Sequence, residues 1–259
     1  MPAHGSSLSN SPDLKKKRLD SLLAARSIAP DLDTARRLIG AGEVYVNDMI
    51  SDKAGSMVPE TAVIRLKQHC PFVSRGGFKL AQGIEAFAVS VEHRICLDVG
   101  ASTGGFTDCL LQHGAAKVYA VDVAYGQLAW KLRQDERVCV IERCNARHLT
   151  PEQLGEAVDL AVTDVSFISL TRILPPMAAA FQDRPVNIIA LIKPQFELPR
   201  DDIGEGGIVR DPALHNKAKQ KIIDFTRNFP TPSLHVNGIV ESPIKGPKGN
   251  TEFLIHIIS

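Results

Sequence analysis

Residues 96–108, CLDVGASTGGFTD, hold an arrangement suited to binding a nucleoside-bearing ligand. Apolar positions run up to Asp98, glycines follow at Gly100, Gly104 and Gly105, and a helix is predicted from Phe106. Glycine lets the backbone come close to a ligand, and a helix N-terminus offers N–H groups that have no partner within the helix. Open α/β sheets bind ligands over the carboxyl ends of their strands. The ends of successive predicted strands here carry Asp98, Asp122, Asn145 and Asp164. Asp122, in VYAVDVA, can accept hydrogen bonds from both hydroxyls of a ribose; a helix N-cap is the other use of an acid in that place. Asn145 and Ala146, in CNARH, fall beside the base of the same ligand. Asp98 suits an orienting role better than that of a catalytic acid.

The elements that would position these residues can be read from the hydrophobic pattern. RICLDVG, KVYAVDVA, VCVIERCNA, VDLAVTDVSF and VNIIALIKPQFE alternate with helical stretches, the βαβ rhythm of a parallel sheet covered on both faces. The end of the chain differs. LHVNGIVESPI and TEFLIHII are joined by the loop KGPKGN, with no room for a helix, so they are expected to pair as an antiparallel hairpin. A parallel sheet finished in this way resembles the class I methyltransferases more than the nicotinamide enzymes, which favours S-adenosyl-L-methionine over NAD as cofactor. The fold class expected is α/β, Rossmann-like, with a mostly parallel seven-stranded sheet, a C-terminal antiparallel hairpin and a small N-terminal α+β domain. On such a fold Gly100, Ala101, Ser102, Gly104, Gly105 and Phe106 would wrap the amino-acid end of the cofactor. Asp98 would stand near its ammonium, and Asp164 would border the same site.

Composition narrows the function classes. The chain has 259 residues, 44% of them hydrophobic and 23% charged, with a net charge of +1. That is ordinary for a globular protein of one large and one small domain. No apolar run approaches the roughly 18 residues needed to cross a bilayer. The N-terminal stretch lacks the apolar core of a secretory signal. Five scattered cysteines without C-x-x-C spacing argue against disulfides and zinc and suit a reducing cytoplasm. No metal site is expected. Basic residues gather early: residues 1–80 hold 12 Lys and Arg against 8 Asp and Glu, the remainder 18 against 21. A solvated face explains such an excess as well as a nucleic-acid site does.

Within that early region Leu19, Leu22, Leu23 and Arg26 suit one face of a short helix. DLDTARRLIGAG reads as a second helix, with Asp33 as N-cap, Ala35, Leu38 and Ile39 inward, and Gly40 and Gly42 at its end. EVYVND and TAVIRL read as strands, with a turn at Asn47-Asp48. Two short helices followed by small strands resemble the alpha-L RNA-binding module, over about residues 15–68. That resemblance implies that Lys16, Lys17, Arg36 and Arg37 contact phosphates, which position RNA without reading its sequence.

Taken together, YVND, FVSRGGFKL, DVGASTGGFTD, TDVSFIS, LIKPQFE and GNTEF closely resemble the TlyA-type proteins, bacterial chains that join an alpha-L module to an FtsJ-like methyltransferase domain. Members are named variously as haemolysins and rRNA methyltransferases. The domains expected are a flexible tail at 1–13, an alpha-L RNA-binding domain at 14–70, a linker at 71–77 and an FtsJ-like methyltransferase domain at 78–259. The resemblance implies S-adenosylmethionine-dependent 2′-O-methylation of ribose in ribosomal RNA, with cytidine as target. It also implies a Lys-Asp-Lys-Glu tetrad, which by motif falls on Lys79, Asp164, Lys193 and Glu252. A lysine with a pKa of about 10.4 cannot take a proton from a ribose hydroxyl at neutral pH, but a second ammonium and burial both favour its neutral form. Lys193, fixed between its strand and Pro194, is expected to be the proton acceptor. Lys79 would be a permanently charged partner, and Asp164 and Glu252 would orient both amines.

Other segments are expected to handle substrate. PQFELPRDDIGEGGIVRDPALHN reads as a lid or as an inert insertion, and Phe196 as a stacking surface or a core residue. Arg75, Lys245 and Lys248 are candidate RNA contacts, and the target base is expected to leave its stack. Three competing functions remain at this point: a nicotinamide oxidoreductase, a membrane-active haemolysin, and a non-catalytic RNA-binding or ribosome-assembly factor. The expected partners are ribosomal RNA and ribosomal subunits, with no membrane, and the chain is expected to be a monomer in the cytoplasm.

Overall fold

The computed structural model describes residues 15–67 and 70–259, so the tail expected at 1–13 lies outside the described residues. The chain divides into two compact units, Met1–His69 and Cys70–Ser259.

The first unit runs β1 (Lys16–Arg18), α1 (Leu19–Ala25), α2 (Leu32–Gly40), β2 (Val44–Val46), β3 (Met49–Ile50), β4 (Met57–Pro59) and β5 (Ile64–Leu66). Leu19, Leu22 and Leu23 of α1 close over Ala35 and Ile39 of α2, and Val44 completes this small core. Strand β2 sits between β3 and β5, and the turn into β3 uses Asn47 and Asp48, both with positive φ. The cap of α2 corrects the sequence reading. Asp31, not Asp33, is the N-cap, and its carboxylate accepts the Thr34 N–H at 2.7 Å. Asp33 lies in the first helical turn, where an acid still complements the helix dipole. The run Lys16–Arg18 forms β1 and pairs with β4, a strand that its charge hides from a hydrophobic pattern.

The second unit opens with α3 (Gly76–Ala86). It continues through β6 (Ile95–Val99), α4 (Gly105–Gln112), β7 (Lys117–Val121), α5 (Trp130–Arg133), β8 (Val138–Ile141), α6 (Pro151–Leu154) and β9 (Leu160–Thr163). Then follow α7 (Leu174–Ala179), β10 (Asn187–Ile192), α8 (Pro194–Glu197), α9 (Pro212–Arg227), β11 (His235–Glu241) and β12 (Phe253–Ile258). The sheet order is β11-β12-β10-β9-β6-β7-β8. The strands from β10 to β8 are parallel, whereas β12 runs antiparallel to both β10 and β11. This is the expected seven-stranded sheet with its terminal hairpin. Alternate residues feed opposite faces: Ile188, Ala190 and Ile192 enter one core, Ile189 and Leu191 the other.

Two loop segments carry anchors that the sequence does not mark. Residues 71–77 are not a free linker. The Val73 N–H donates to Asp108 at 2.7 Å, Gln112 reaches the Pro71 carbonyl, and Phe72 packs under Gly77. The stretch after Lys193 is also tied down. Leu198 and Val209 are buried in the core, and buried Glu197 accepts the Ser169 hydroxyl and the Leu170 N–H. Asn250 clamps Val209 and Gly207. Apolar anchors spaced through a Gly-rich segment fix it without any periodic signal.

Candidate active site

Topology assembles the site. Ile192 pairs with Phe253, so Lys193, leaving β10, and Glu252, entering β12, meet at one end of the sheet. Asp164 follows the neighbouring strand β9. Lys79 comes from α3, whose Gly83 lies against Ile189 of β10 and Leu254 of β12. All four side chains converge. Lys79 Nζ donates to Glu252 Oε2 at 2.7 Å and to Asp164 Oδ2 at 3.2 Å. Lys193 Nζ lies 2.6 Å from Asp164 Oδ1 and donates to Ser166 Oγ at 2.8 Å. Asp164 therefore bridges the two amines, while Glu252 touches Lys79 alone.

Both lysines are 7% exposed and Glu252 is 1% exposed. Burial pulls the Lys79 ammonium down, but the charges of Asp164 and Glu252 and their hydrogen bonds outweigh it and raise its pKa. Lys79 is held as a cation. Gly246 forms the wall behind Glu252, because a side chain there would collide with Oε1.

The glycine turn lies along the same cleft. Gly104, with φ of 97°, caps α4, and a Cβ would strike Leu132 and Leu128. At Gly105 a Cβ would strike Ser74, so the starts of α3 and α4 can meet only through glycine. Asp122 accepts the Ser102 N–H and the Ala124 N–H, each at 2.7 Å, and each oxygen keeps a further lone pair.

A cleft of about 890 Å³ is lined by Gly100, Ala101, Ser102, Gly105, Phe106, Asp122, Asn145, Ala146, Asp164 and Lys193, with Lys79, Arg75 and Lys245 also on its wall. Four expected site residues of this unit stand off the lining, and one of them, Glu252, reaches the cleft only through its bond to Lys79. Asp98, expected beside the cofactor's ammonium, is fully buried and accepts the Thr107 hydroxyl at 2.6 Å; burial pushes its carboxyl up to about 7. Gly104 shapes the turn from behind, and Lys248 instead donates to the Gly206 carbonyl. Lys16, Lys17, Arg36 and Arg37 belong to the first unit. Phe196 tilts against Phe167 at 5.0 Å. Sequence reading missed Ser166 and Phe167, although both lie in TDVSFIS, and also Arg147, because neither spacing nor type marks them.

A family model for FtsJ-like methyltransferases matches residues 72–258. The chain belongs to this family. It is 44% identical over 243 residues to the Mycobacterium tuberculosis protein named 16S/23S rRNA (cytidine-2′-O)-methyltransferase TlyA, across 93% of this chain and 89% of the relative. It is 43% identical over 246 residues to the Brachyspira hyodysenteriae protein named Hemolysin A, across 93% and 99%. A solved structure from Streptococcus thermophilus, provisionally named a hemolysin, is 40% identical with a TM-score of 0.69, covering 95% of this chain and 89% of that one. As an FtsJ-like methyltransferase the protein is an enzyme whose methyl donor is S-adenosyl-L-methionine. The cleft fits that group: its volume lies in the usual ligand range, and a strand-end carboxylate and a side-chain-poor turn line one half. Among the described residues no helix is long and apolar enough to cross a membrane.

Proposed function

We propose that this protein methylates the 2′-hydroxyl of a ribose in ribosomal RNA, with cytidine as the target nucleotide. The observation that carries the reading is Asp164, one carboxylate shared by two buried lysines at the edge of the cofactor cleft. The relative named as an rRNA (cytidine-2′-O)-methyltransferase supports the substrate class.

The cofactor, when bound, supplies an electrophilic methyl carbon. Asp122 would hold its ribose, Asn145 and Ala146 its base, and the turn Gly100–Phe106 its amino-acid end. The protein's own residues do the rest. Lys193 has one carboxylate and one neutral hydroxyl around it, and in its unprotonated form it takes the proton of the ribose hydroxyl as the oxygen attacks. Lys79 has two carboxylates and stays charged, stabilising negative charge that develops nearby. Phe167 is 89% exposed, sits in the cleft beside Ser166, and offers a face to an unstacked base. Arg75 and Lys245 on the cleft wall would meet flanking phosphates, as would Lys16, Lys17, Arg36 and Arg37 on the first unit. The setting is the cytoplasm, where ribosomal subunits are, and the working form is a monomer.

Mass mapping of ribose methyl groups on ribosomal RNA from cells with and without this protein tests the proposal. The expected result is the loss of at least one 2′-O-methylcytidine in the deletion and its return on complementation. Unchanged methylation, or a methyl on a base instead of a ribose, would overturn it.

A further inference from the structure

Among the described residues of the second unit, Phe78 on α3 is 39% exposed, and the four more exposed large apolar side chains all follow strand ends. Val123, Tyr125 and Trp130 are each 70% exposed and Phe167 is 89% exposed. Three follow the carboxyl end of β7 and one follows β9, so all lie after strand ends that border the cleft. Val123 and Phe167 line the cleft itself, whereas Tyr125 and Trp130 lie outside its lining. A ligand confined to the cleft therefore leaves Tyr125 and Trp130 without a role. Single exposed hydrophobics need no explanation, but a group at the rim of a catalytic cleft marks a binding surface.

Charge indicates the partner. Arg143 lies with its guanidinium 4.5 Å above the Tyr125 ring, and its backbone takes a positive φ of 55°. Nearby cations are neutralised: Arg133 by Glu142, Lys131 by Asp108 and Arg137 by Asp135. Among the described residues Arg143 and Arg147 form no ion pair; Arg143 adds to the field that favours the Glu142 carboxylate, which Arg133 already pairs, and Arg147 reaches the Asn145 side chain. The loop that carries the aromatics is braced. The Ala129 N–H donates to the Thr103 carbonyl, the Gly126 N–H to Glu142, and Leu128 and Leu132 are buried beside Gly104.

We propose that Tyr125, Arg143 and Trp130 form a platform for unpaired RNA bases flanking the methylated nucleotide, with Arg147 meeting a phosphate between them. The proposal rests on RNA as the substrate. Aromatic rings and arginine planes are the surfaces on which splayed bases stack, and such stacking tolerates any base sequence. The platform accounts for strand capture beside the cleft, which the tetrad and the cofactor residues do not.

Trp130 is the single tryptophan of the chain, so the intact protein reports on the platform directly. Titration with a single-stranded or loop RNA is expected to quench its fluorescence over the concentrations that saturate methyl transfer, and S-adenosylmethionine alone is not. Unchanged emission while methyl transfer proceeds would overturn the platform and leave the methyltransferase reading standing; methyl transfer to no RNA would instead overturn that reading. Tyr125→Ala and Arg143→Ala are each expected to raise the KM for RNA about tenfold, within the range of one lost base stack, with kcat and cofactor affinity close to wild type. Arg143→Lys keeps the charge and loses the plane, so it should behave like Arg143→Ala, and full rescue by lysine would exclude stacking. Weakened cofactor binding with an unchanged KM for RNA would make these residues a cofactor wall and refute the platform.

Discussion

The two units each hold a cluster of opposite charges, and they solve burial in opposite ways. In the first unit only the carboxylate is buried: Asp20 is 0% exposed and accepts hydrogen bonds from Nε and Nη2 of Arg18, at 3.1 and 2.6 Å, and from Nε of Arg36 at 3.3 Å. The two arginines keep about half of their side chains in water. The hydrogen bond from Arg18, against the cost of burial, holds the Asp20 carboxyl well below the usual range. In the second unit the two amines are buried with Glu252, and the Asp164 they share is about one-fifth exposed. A buried acid beneath exposed arginines fixes cations at a surface, where they can meet phosphates. Buried amines that share acids keep charge in a dry place, where a proton can be moved.

The largest effect is expected at Lys193. Lys193→Ala is expected to lower methyl transfer about 10³-fold or more while cofactor binding persists. Single-turnover assays with isothermal titration check this, and a near-normal rate would remove its role as proton acceptor. Next, Glu252→Ala leaves the buried Lys79 cation with one acid instead of two. Breaking a buried pair in this way costs about 3–5 kcal/mol, to be read by denaturant titration. A loss below 1 kcal/mol would mean that water already reaches Lys79.

Asp98 gives a pH dependence. Its folded pKa of about 7 lies above the ordinary value of 3.8. Between those values the folded state keeps a proton that the unfolded state has released, so stability falls as pH rises through the window and levels off above it. Asp98→Asn should abolish this fall, a few kcal/mol over the window, in melts from pH 4 to pH 8. A wild-type contribution that stays flat over that range would show Asp98 ionised. The smallest effect is expected at Asp20. Asp20→Asn removes the anchor shared by Arg18 and Arg36 and should weaken RNA binding several-fold, about 1 kcal/mol, although the net charge becomes more positive. Tighter binding would show that charge alone, not its placement, matters there.

Much of the architecture was legible because each strand carries its own pattern. The parallel strands are short apolar runs, with Asp98, Asp122 and Asp164 at the ends of β6, β7 and β9 and Asn145 four residues beyond β8, and KGPKGN is too short for anything but a hairpin turn. Legibility failed where charge or contact overrode pattern. β1 is built of Lys16, Lys17 and Arg18, which no apolar alternation marks, and the cap moved from Asp33 to Asp31 because either acid satisfies the local rule. The stretch 71–77 looked like a linker because its anchors, Asp108 and Gln112, lie some 35 residues away or more. Ser166 was invisible as a partner of Lys193 for the same reason: a hydroxyl 27 residues distant has no spacing signal.

The sequence by itself determined which groups are available and on which kind of element each would stand, because propensity, turn chemistry and period are local properties of the chain. Only the tertiary structure decided how they are shared. Asp164 bridges both lysines, Glu252 serves one, and Asp98 withdraws beneath the turn. That division is set by sheet register and by which side chains lose their water, and both depend on contacts between residues far apart in the chain.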